Sequence, residues 1–175
     1  MSFIRIKRIK GRRYAYLVEN SWTPQGSRQK VSKYLGAVKE FSAQGEEPYS
    51  SSLENPEEYL RNKSFKEITK EAIKFELSRR GFKETENGFE KDDIKITPDY
   101  VVTINGKNSV FRLNEGYFCS ETANELLNYN GKDDPTGKKL ARAIIGVGIQ
   151  TDEELFVELF AKSRPKDDKE TTIYY

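Results

Sequence analysis

Residues 41–57 divide the sequence into two unequal parts. This segment contains Gly45, Pro48 and Pro56, a run of three serines and several glutamates. Such a composition offers little apolar surface to bury, so the sequence predicts an acidic linker. A chain of 175 residues with 35% hydrophobic content can form one ordinary core and a small additional module. We therefore expect a small module over residues 1–40, a larger domain over 58–163 and a charged tail over 164–175.

The first 40 residues predict a three-stranded antiparallel β-meander. Ile4 and Ile6 alternate with charged residues, which is the pattern of a half-buried strand. Lys10-Gly11 predicts the first turn, and the Pro- and Gly-containing stretch 23–27 predicts the second. We expect the third strand to end at Gly36.

The larger domain predicts a mixture of helices and short strands. Ser64 and Glu67 have capping-box spacing and begin an amphipathic helix that we expect to end at Gly81. Turn residues within 82–118 separate β-branched and aromatic runs, which predicts four short strands. Three more helices are expected to begin near Ser120, Pro135 and Thr151, the last with a capping box from Thr151 to Glu154. The predicted fold class is α+β: a three-stranded meander, then one helix, a four-stranded, mostly antiparallel sheet and three C-terminal helices.

Residue types limit the chemistry that this chain can perform. It contains one cysteine, Cys119, and no histidine. An intrachain disulfide is therefore impossible, the usual zinc ligand sets are missing, and Ser-His-Asp or Cys-His mechanisms are excluded. No apolar run is long enough to cross a bilayer, and the first residues are too charged for a signal peptide. We accordingly expect a cytoplasmic protein with no metal, no cofactor and no membrane partner.

Charge is distributed very unevenly along the chain, although the net charge is only +2. Residues 1–40 carry ten Lys and Arg against two acidic residues, whereas residues 41–60 carry five acidic residues and no basic one. Clustered cations release counterions from nucleic-acid phosphates, and aromatic rings beside them pack on bases or sugars. The sequence therefore predicts a nucleic-acid-binding sheet that contains Arg5, Lys7, Arg12, Arg13, Tyr14, Tyr16, Arg28, Lys30, Lys33 and Tyr34.

Other interpretations of this sheet stay open. Lys and Arg also occur on exposed strands because they discourage edge-to-edge aggregation, and an acidic protein partner would suit the same charge. The form of the nucleic acid is open as well, since aromatic rings suit single strands and a narrow β-ribbon can enter the major groove of a duplex. Trp22 and Tyr34 are expected to serve packing more than stacking.

A resemblance to a known family points in the same direction as the charge. Residues 14–20 and 28–36 read Tyr-Ala-Tyr-Leu-Val-Glu-Asn and Arg-Gln-Lys-Val-Ser-Lys-Tyr-Leu-Gly, on either side of a glycine-containing turn. Residues 1–40 resemble the N-terminal region of some insertion-sequence DDE transposases, and this resemblance implies DNA binding. The remaining chain is too short for the catalytic domain of that family and lacks its arrangement, so transposition is not implied.

Residues 64–130 are similar in layout to the PD-(D/E)-x-K nucleases. In that family an Asp that follows a Pro and an acidic residue on the next strand bind Mg²⁺, and a Lys two positions later helps to activate water. Asp99 matches the first position, and Glu71 resembles the helix carboxylate of the family. Arg112 and Asn114 stand where the second carboxylate and the lysine are expected. The sequence therefore indicates an inactive relative or a coincidental likeness.

Together these features predict a non-enzymatic protein that binds nucleic acid, DNA in preference to RNA, through its basic aromatic sheet. The larger domain is expected to add a second contact or to recruit a protein partner. A PD-(D/E)-x-K-like nuclease or its inactive relative is one alternative, with Asp99 and Glu71 as its candidate catalytic residues. A protein-interaction module is the second alternative.

Overall fold

The structure, a computed structural model, describes residues 2–45 and 47–164. Within these ranges it contains nine strands in one large sheet and five α-helices, so the predicted α+β class is confirmed. None of the helices in the described ranges is both long and apolar enough to span a membrane. The predicted tail, apart from Arg164, lies outside the described residues.

The first three strands form the antiparallel meander that alternation predicts: β1 Ser2–Ile9, β2 Arg12–Thr23 and β3 Gly26–Glu40. Lys10 and Gly11 have φ angles of 48° and 79°, as favoured two-residue turns between twisted strands require. β3 is longer than predicted. The strand is predicted to end at Gly36, but it continues through this glycine to Glu40.

Six short strands follow where the sequence predicts four: β4 Lys83–Thr85, β5 Gly88–Lys91, β6 Ile94–Ile96, β7 Val102–Ile104, β8 Lys107–Leu113 and β9 Gly116–Phe118. One of the turns predicted within residues 82–118 lies at Asn105-Gly106, with positive φ at both residues. Two further turns contain Asp92 and Asn114, with φ of 53° and 49°. Asp and Asn tolerate this conformation better than most residues, and their turns divide the β-region more finely than predicted.

The helices are α1 Pro56–Arg61, α2 Phe65–Ser78, α3 Ser120–Leu127, α4 Lys138–Val147 and α5 Glu153–Ser163. The predicted capping box of α2 is formed, because Ser64 Oγ accepts from the Glu67 amide and the Glu67 carboxylate accepts from the Ser64 amide. α5 is capped by Asp152, whose Oδ1 accepts from the Leu155 amide at 2.9 Å, and not by Thr151 as predicted. The short helix α1 was not predicted.

All nine strands belong to one sheet, in the order β1-β2-β3-β8-β7-β6-β5-β4, with β9 also paired to β8. β3 and β8 are parallel, and residues 37–40 lie beside residues 109–112. The other strand pairs are antiparallel. The two sheets that the sequence predicts are therefore joined at β8. The reason is a pairing between residues 72 positions apart, which local sequence patterns do not reveal.

The segment predicted to be an acidic linker packs against the larger domain. Tyr49 and Ser50 are buried, with exposed fractions of 7% and 0%. The Tyr49 hydroxyl donates to Glu71 at 2.7 Å, the Ser50 hydroxyl donates to Asp152, and the Gln44 amide donates to the Arg79 carbonyl at 2.8 Å. The prediction from composition was wrong because three large apolar side chains, Phe41, Tyr49 and Leu53, together with several hydrogen bonds, are enough to pack this polar segment against the main core. The domain boundaries at 40 and 58 stay a prediction.

The sheet has a hydrophobic core on each side of β8. Phe111 and Leu113 point into the main core, which α2, α3, α4 and α5 cover. Val110, whose side chain alternates with theirs, belongs to a second and smaller core with Ala15, Leu35, Val38 and Cys119. Both cores use residues of the central strand, so β8 is fixed from both faces.

A buried charge network fixes the C-terminal end of α2. Glu76 is 1% exposed, and its carboxylate accepts from Arg80 and from the backbone amide of Gln150 at 2.9 Å. Arg80 also donates to Asn114 Oδ1 at 2.9 Å, and Arg79 donates to the Glu47 carbonyl at 2.6 Å. Removing one partner of such a network leaves an unpaired charge in the interior. The network therefore holds α2, the β8–β9 turn and the segment after β3 together.

We predict that Gly36→Ala destabilises the protein more than Gly26→Ala does. Both glycines have positive φ, 131° and 110°, so an alanine at either position is strained by about 1–3 kcal/mol. A Cβ at Gly36 would also lie 2.1 Å from the carbonyl oxygen of Asn108 on β8, whereas a Cβ at Gly26 meets nothing within 4 Å. Urea unfolding of both variants and the wild type measures how much unfolding free energy each substitution removes. Equal losses would contradict the close contact between β3 and β8.

Candidate nucleic-acid interface

The β1–β3 part of the sheet has two different faces. Residues directly opposite one another in antiparallel strands share a face, and successive residues alternate between faces. Arg5 lies opposite Tyr16, Lys7 lies opposite Tyr14, and Tyr16 lies opposite Tyr34. These five side chains define what we call the tyrosine face. The opposite side, which we call the packed face, carries apolar residues that contact the second core: Ile4, Ile6, Ala15 and Leu17.

The ring of Tyr34 contacts the rings of both other tyrosines. The Tyr34 ring centre lies 5.3 Å from that of Tyr16 and 6.4 Å from that of Tyr14, with interplanar angles of 54° and 42°. Lys7 Nζ lies 5.0 Å from the centre of the Tyr16 ring. Burial raises the pKa of the Tyr34 hydroxyl, and Tyr16 and Tyr14 raise it further. The Tyr34 hydroxyl is therefore protonated at neutral pH and can donate a hydrogen bond to an anionic oxygen.

Four cations and no carboxylate of these strands fall on the tyrosine face. Arg12 lies opposite Ile9, which is two residues after Lys7 and therefore on the same face as Lys7. Lys39 is two residues after Ala37, which lies opposite Tyr14, so Lys39 is on this face as well. Arg12 and Lys39 thus join Arg5 and Lys7 on the tyrosine face. All four side chains are exposed. None of them forms a salt bridge within residues 2–45 and 47–164. Lys39 is not among the predicted residues because the predicted third strand ends at Gly36.

The other four predicted cations lie on the opposite side of the sheet. Arg13 forms a salt bridge with Glu40 at 2.8 Å, and Lys33 forms one with Glu121 of α3 at 2.5 Å. Arg28 lies opposite Ser21, and Lys30 lies opposite Glu19. The structure therefore divides the ten predicted residues: Arg5, Lys7, Arg12, Tyr14, Tyr16 and Tyr34 share the tyrosine face, whereas Arg13, Arg28, Lys30 and Lys33 do not.

The end of the β2–β3 hairpin extends beyond β1 as a two-stranded ribbon. β1 pairs with β2 as far as Glu19, and four residue pairs continue the β2–β3 ladder to Thr23 and Gly26. We call residues 20–29 the ribbon tip. Trp22 in this tip is 87% exposed, so the expectation that it packs inside the sheet is wrong. Tyr34, for which packing was also expected, contacts two rings and is 50% exposed.

The residues of the nuclease-like pattern make structural contacts. Arg112 donates to Glu40 at 3.3 Å, and Asn114 donates to the Gly148 carbonyl at 2.7 Å. Glu71 accepts from Tyr49 and Lys63. Glu71 lines a shallow cavity of about 400 Å³ with Pro98 and Tyr100, but Asp99 between them is exposed and is not part of its lining. Three of the four nuclease-pattern residues therefore form hydrogen bonds or salt bridges with other parts of the fold.

The side chain of Cys119 packs in the second core. Cys119 is 4% exposed, and burial raises the pKa of its thiol to about 11, so the thiol is neutral at physiological pH. Within residues 2–45 and 47–164, no three Cys, Asp or Glu side chains are placed to share a metal ion.

Comparison with protein-family models, with curated proteins and with solved structures gives no significant match to this chain. The resemblance of residues 1–40 to transposase N-terminal regions therefore stays a prediction. The same holds for the similarity of residues 64–130 to PD-(D/E)-x-K nucleases.

We predict that the stability difference between the wild type and Glu40→Gln decreases as the pH falls. The hydrogen bond from Arg13 lowers the pKa of Glu40, desolvation opposes this effect, and the charges of Arg13 and Arg112 add to it. A carboxyl group whose pKa is lowered by folding stabilises the fold above its ordinary pKa of about 4.3, and this stabilisation is lost as the pH falls through the lower value.

Urea midpoints of both proteins at several pH values between 7 and 3 measure this effect. Glu115→Gln is a suitable control, because it removes an exposed carboxylate that forms no salt bridge within the described chain. A difference between the wild type and Glu40→Gln that stays constant down to pH 3 would contradict the role of the Arg13–Glu40 pair.

Proposed function

We propose that this protein binds nucleic acid through the tyrosine face, DNA in preference to RNA, and that it does so without catalysing a reaction. One observation carries the proposal: the tyrosine face combines four exposed cations with three tyrosines and has no carboxylate from its own strands. Cations in such a group neutralise phosphates and release their counterions, and this release supplies most of the affinity in non-specific binding. The resemblance to transposase N-terminal regions supports DNA as the ligand.

Protection against aggregation explains only part of this charge pattern. Cations that discourage edge-to-edge pairing are needed on edge strands. Arg5 and Lys7 lie on the edge strand β1, but Arg12 lies on β2, and Lys39 lies on β3 beside Phe111 of β8. The two interior strands therefore carry half of the cations of the tyrosine face, and a ligand accounts for these better than edge protection does.

Aromatic rings beside the cations fit a nucleic acid better than a purely electrostatic partner. Tyr hydroxyls donate hydrogen bonds to phosphates, and the rings pack on sugars or bases. Phosphate contacts position the ligand without reading its sequence. We therefore expect the tyrosine face to supply affinity and orientation, while sequence selectivity needs contacts beyond this face.

The test compares two double variants that lose the same charge. Lys7→Gln with Arg12→Gln removes two cations from the tyrosine face. Lys66→Gln with Arg142→Gln removes one lysine and one arginine that are exposed on α2 and α4 and form no salt bridge within the described ranges. Binding of a fluorescently labelled DNA duplex is measured by anisotropy at several salt concentrations.

The tyrosine-face variant is expected to weaken binding and to reduce the slope of log K against log salt by about two, because each lost phosphate contact contributes about 0.9 to the slope for B-form DNA. The control variant is expected to keep the wild-type slope. Equal behaviour of the two variants would contradict the assignment to this face, and absence of salt-dependent binding to any nucleic acid would overturn the proposed function.

A further inference from the structure

We propose that the ligand is duplex DNA and that the ribbon tip, residues 20–29, enters its major groove with Trp22 against the bases. This inference rests on the proposed function and adds the form of the nucleic acid and the residue that contacts it. It is drawn from the shape of the ribbon tip, from the exposure of Trp22 and from the distribution of cations over both sides of the hairpin.

The ribbon tip has dimensions that match the major groove of B-form DNA. Four residue pairs extend beyond the last β1–β2 pair, which corresponds to roughly 13 Å at about 3.3 Å per residue. A single sheet layer with its side chains is about 10 Å thick, whereas the groove is about 12 Å wide and 8.5 Å deep. The tip is therefore long enough to reach the floor of the groove before β1 meets the phosphates.

The tip is also held in one conformation by its own hydrogen bonds. Thr23 Oγ1 donates to the Gly26 carbonyl at 2.8 Å across the turn, and Ser21 Oγ donates to the Arg28 carbonyl at 3.3 Å. A ribbon ordered before binding loses less conformational entropy when it binds. These contacts favour insertion of the hairpin as a rigid unit.

Trp22 lies in the ribbon tip and has a side chain that is suited to contact bases. It is 87% exposed, and it forms no ring–ring contact within the described chain. It lies opposite Ser27, one residue pair from the Thr23–Gly26 pair that closes the turn. An exposed indole of this kind costs solubility, and burial of its ring against bases or thymine methyl groups would recover the hydrophobic free energy.

A ribbon between two phosphate walls requires cations on both of its faces, and the β1–β3 sheet has cations on both. A ribbon that enters a groove tip-first presents one face to each wall. Arg5 lies on one side, where it donates to Gln29 of the tip at 3.0 Å. Arg28 and Lys30 lie on the other side, are exposed and form no salt bridge within the described ranges. Each wall of the groove would thus meet at least one cation.

The tyrosine cluster does not offer the flat stacking platform that a single strand needs. Its rings are tilted against one another by 42° and 54°, so that successive bases cannot stack on all three. Duplex RNA is also a poor match, since its major groove is too deep and narrow for side chains to read. The geometry thus favours B-form DNA over both other ligands.

The fluorescence of Trp22 gives a direct test, because it is the only tryptophan of the chain. Three labelled ligands of the same sequence are compared: a DNA duplex, its single strand and an RNA duplex. Anisotropy reports binding, and tryptophan emission reports the surroundings of Trp22. We expect the DNA duplex to bind most tightly and to quench and blue-shift the emission.

Three variants separate the ribbon tip from the tyrosine face. Trp22→Ala is expected to weaken duplex binding by about 10- to 150-fold, as for loss of one large apolar side chain from a buried contact, and Trp22→Phe is expected to restore part of this loss. Arg28→Gln with Lys30→Gln is expected to reduce the salt slope by about two. All three substituted positions are exposed, and circular dichroism checks that the fold is retained.

Failure of this inference can be told apart from failure of the proposed function. Salt-dependent binding with unchanged Trp22 emission, unchanged affinity of Trp22→Ala, or tighter binding of the single strand or the RNA duplex would overturn the groove model. Each of these results would leave nucleic-acid binding by the tyrosine face intact, but tighter binding of the RNA duplex would also overturn the proposed preference for DNA. Absence of binding to all three ligands would overturn both.

Discussion

The parallel pairing of β3 with β8 is the constraint on which the rest of the structure depends. Parallel strands cannot be joined by a tight turn, so the chain between them must cross over and return. Here the crossover comprises residues 41–106, and its first part is the segment that composition identifies as a linker. That segment must pack back on α2 to bring β8 beside β3, which is why Tyr49 is buried and why Gln44 and Glu47 bond to Arg79. The crossover thus explains the order of an otherwise polar segment.

The same pairing gives the two faces of the sheet different surroundings. At β8 both faces are covered, by the main core on one side and the second core on the other. Lys39 lies beside Phe111, so the tyrosine face continues the side of the sheet that bears the main core, but here it carries exposed cations. The candidate interface is therefore part of a continuous sheet with the larger domain. A ligand on this face would be oriented relative to the whole protein and not only to its first 40 residues.

Sequence patterns predicted the features that depend on neighbouring residues. The alternation of Ile4 and Ile6, the turn at Lys10-Gly11 and the capping box at Ser64 all act over a few positions, and all three are present. The patterns did not predict what depends on distant residues. Gly36 resembles a strand end in the sequence, but it is the point where β3 approaches the backbone of Asn108. Lys39 was missed for the same reason. If β3 ended at Gly36, Lys39 would lie outside the strand and could not be assigned to a face of the sheet.

Carboxylates determine which of the ten cations in residues 1–40 are available to a ligand. Counting charges along the sequence gives a net charge of +8 for this segment, but the count does not distinguish between faces. Glu40 and Glu121 lie on the packed side, where they neutralise Arg13 and Lys33 and tie β2 to β3 and β3 to α3. These ion pairs use two cations for the fold, whereas the cations of the tyrosine face have no salt-bridge partner in residues 2–45 and 47–164. A polyanion that approaches this face would therefore displace solvent ions and no carboxylate of the described residues, and this lowers the free-energy cost of binding.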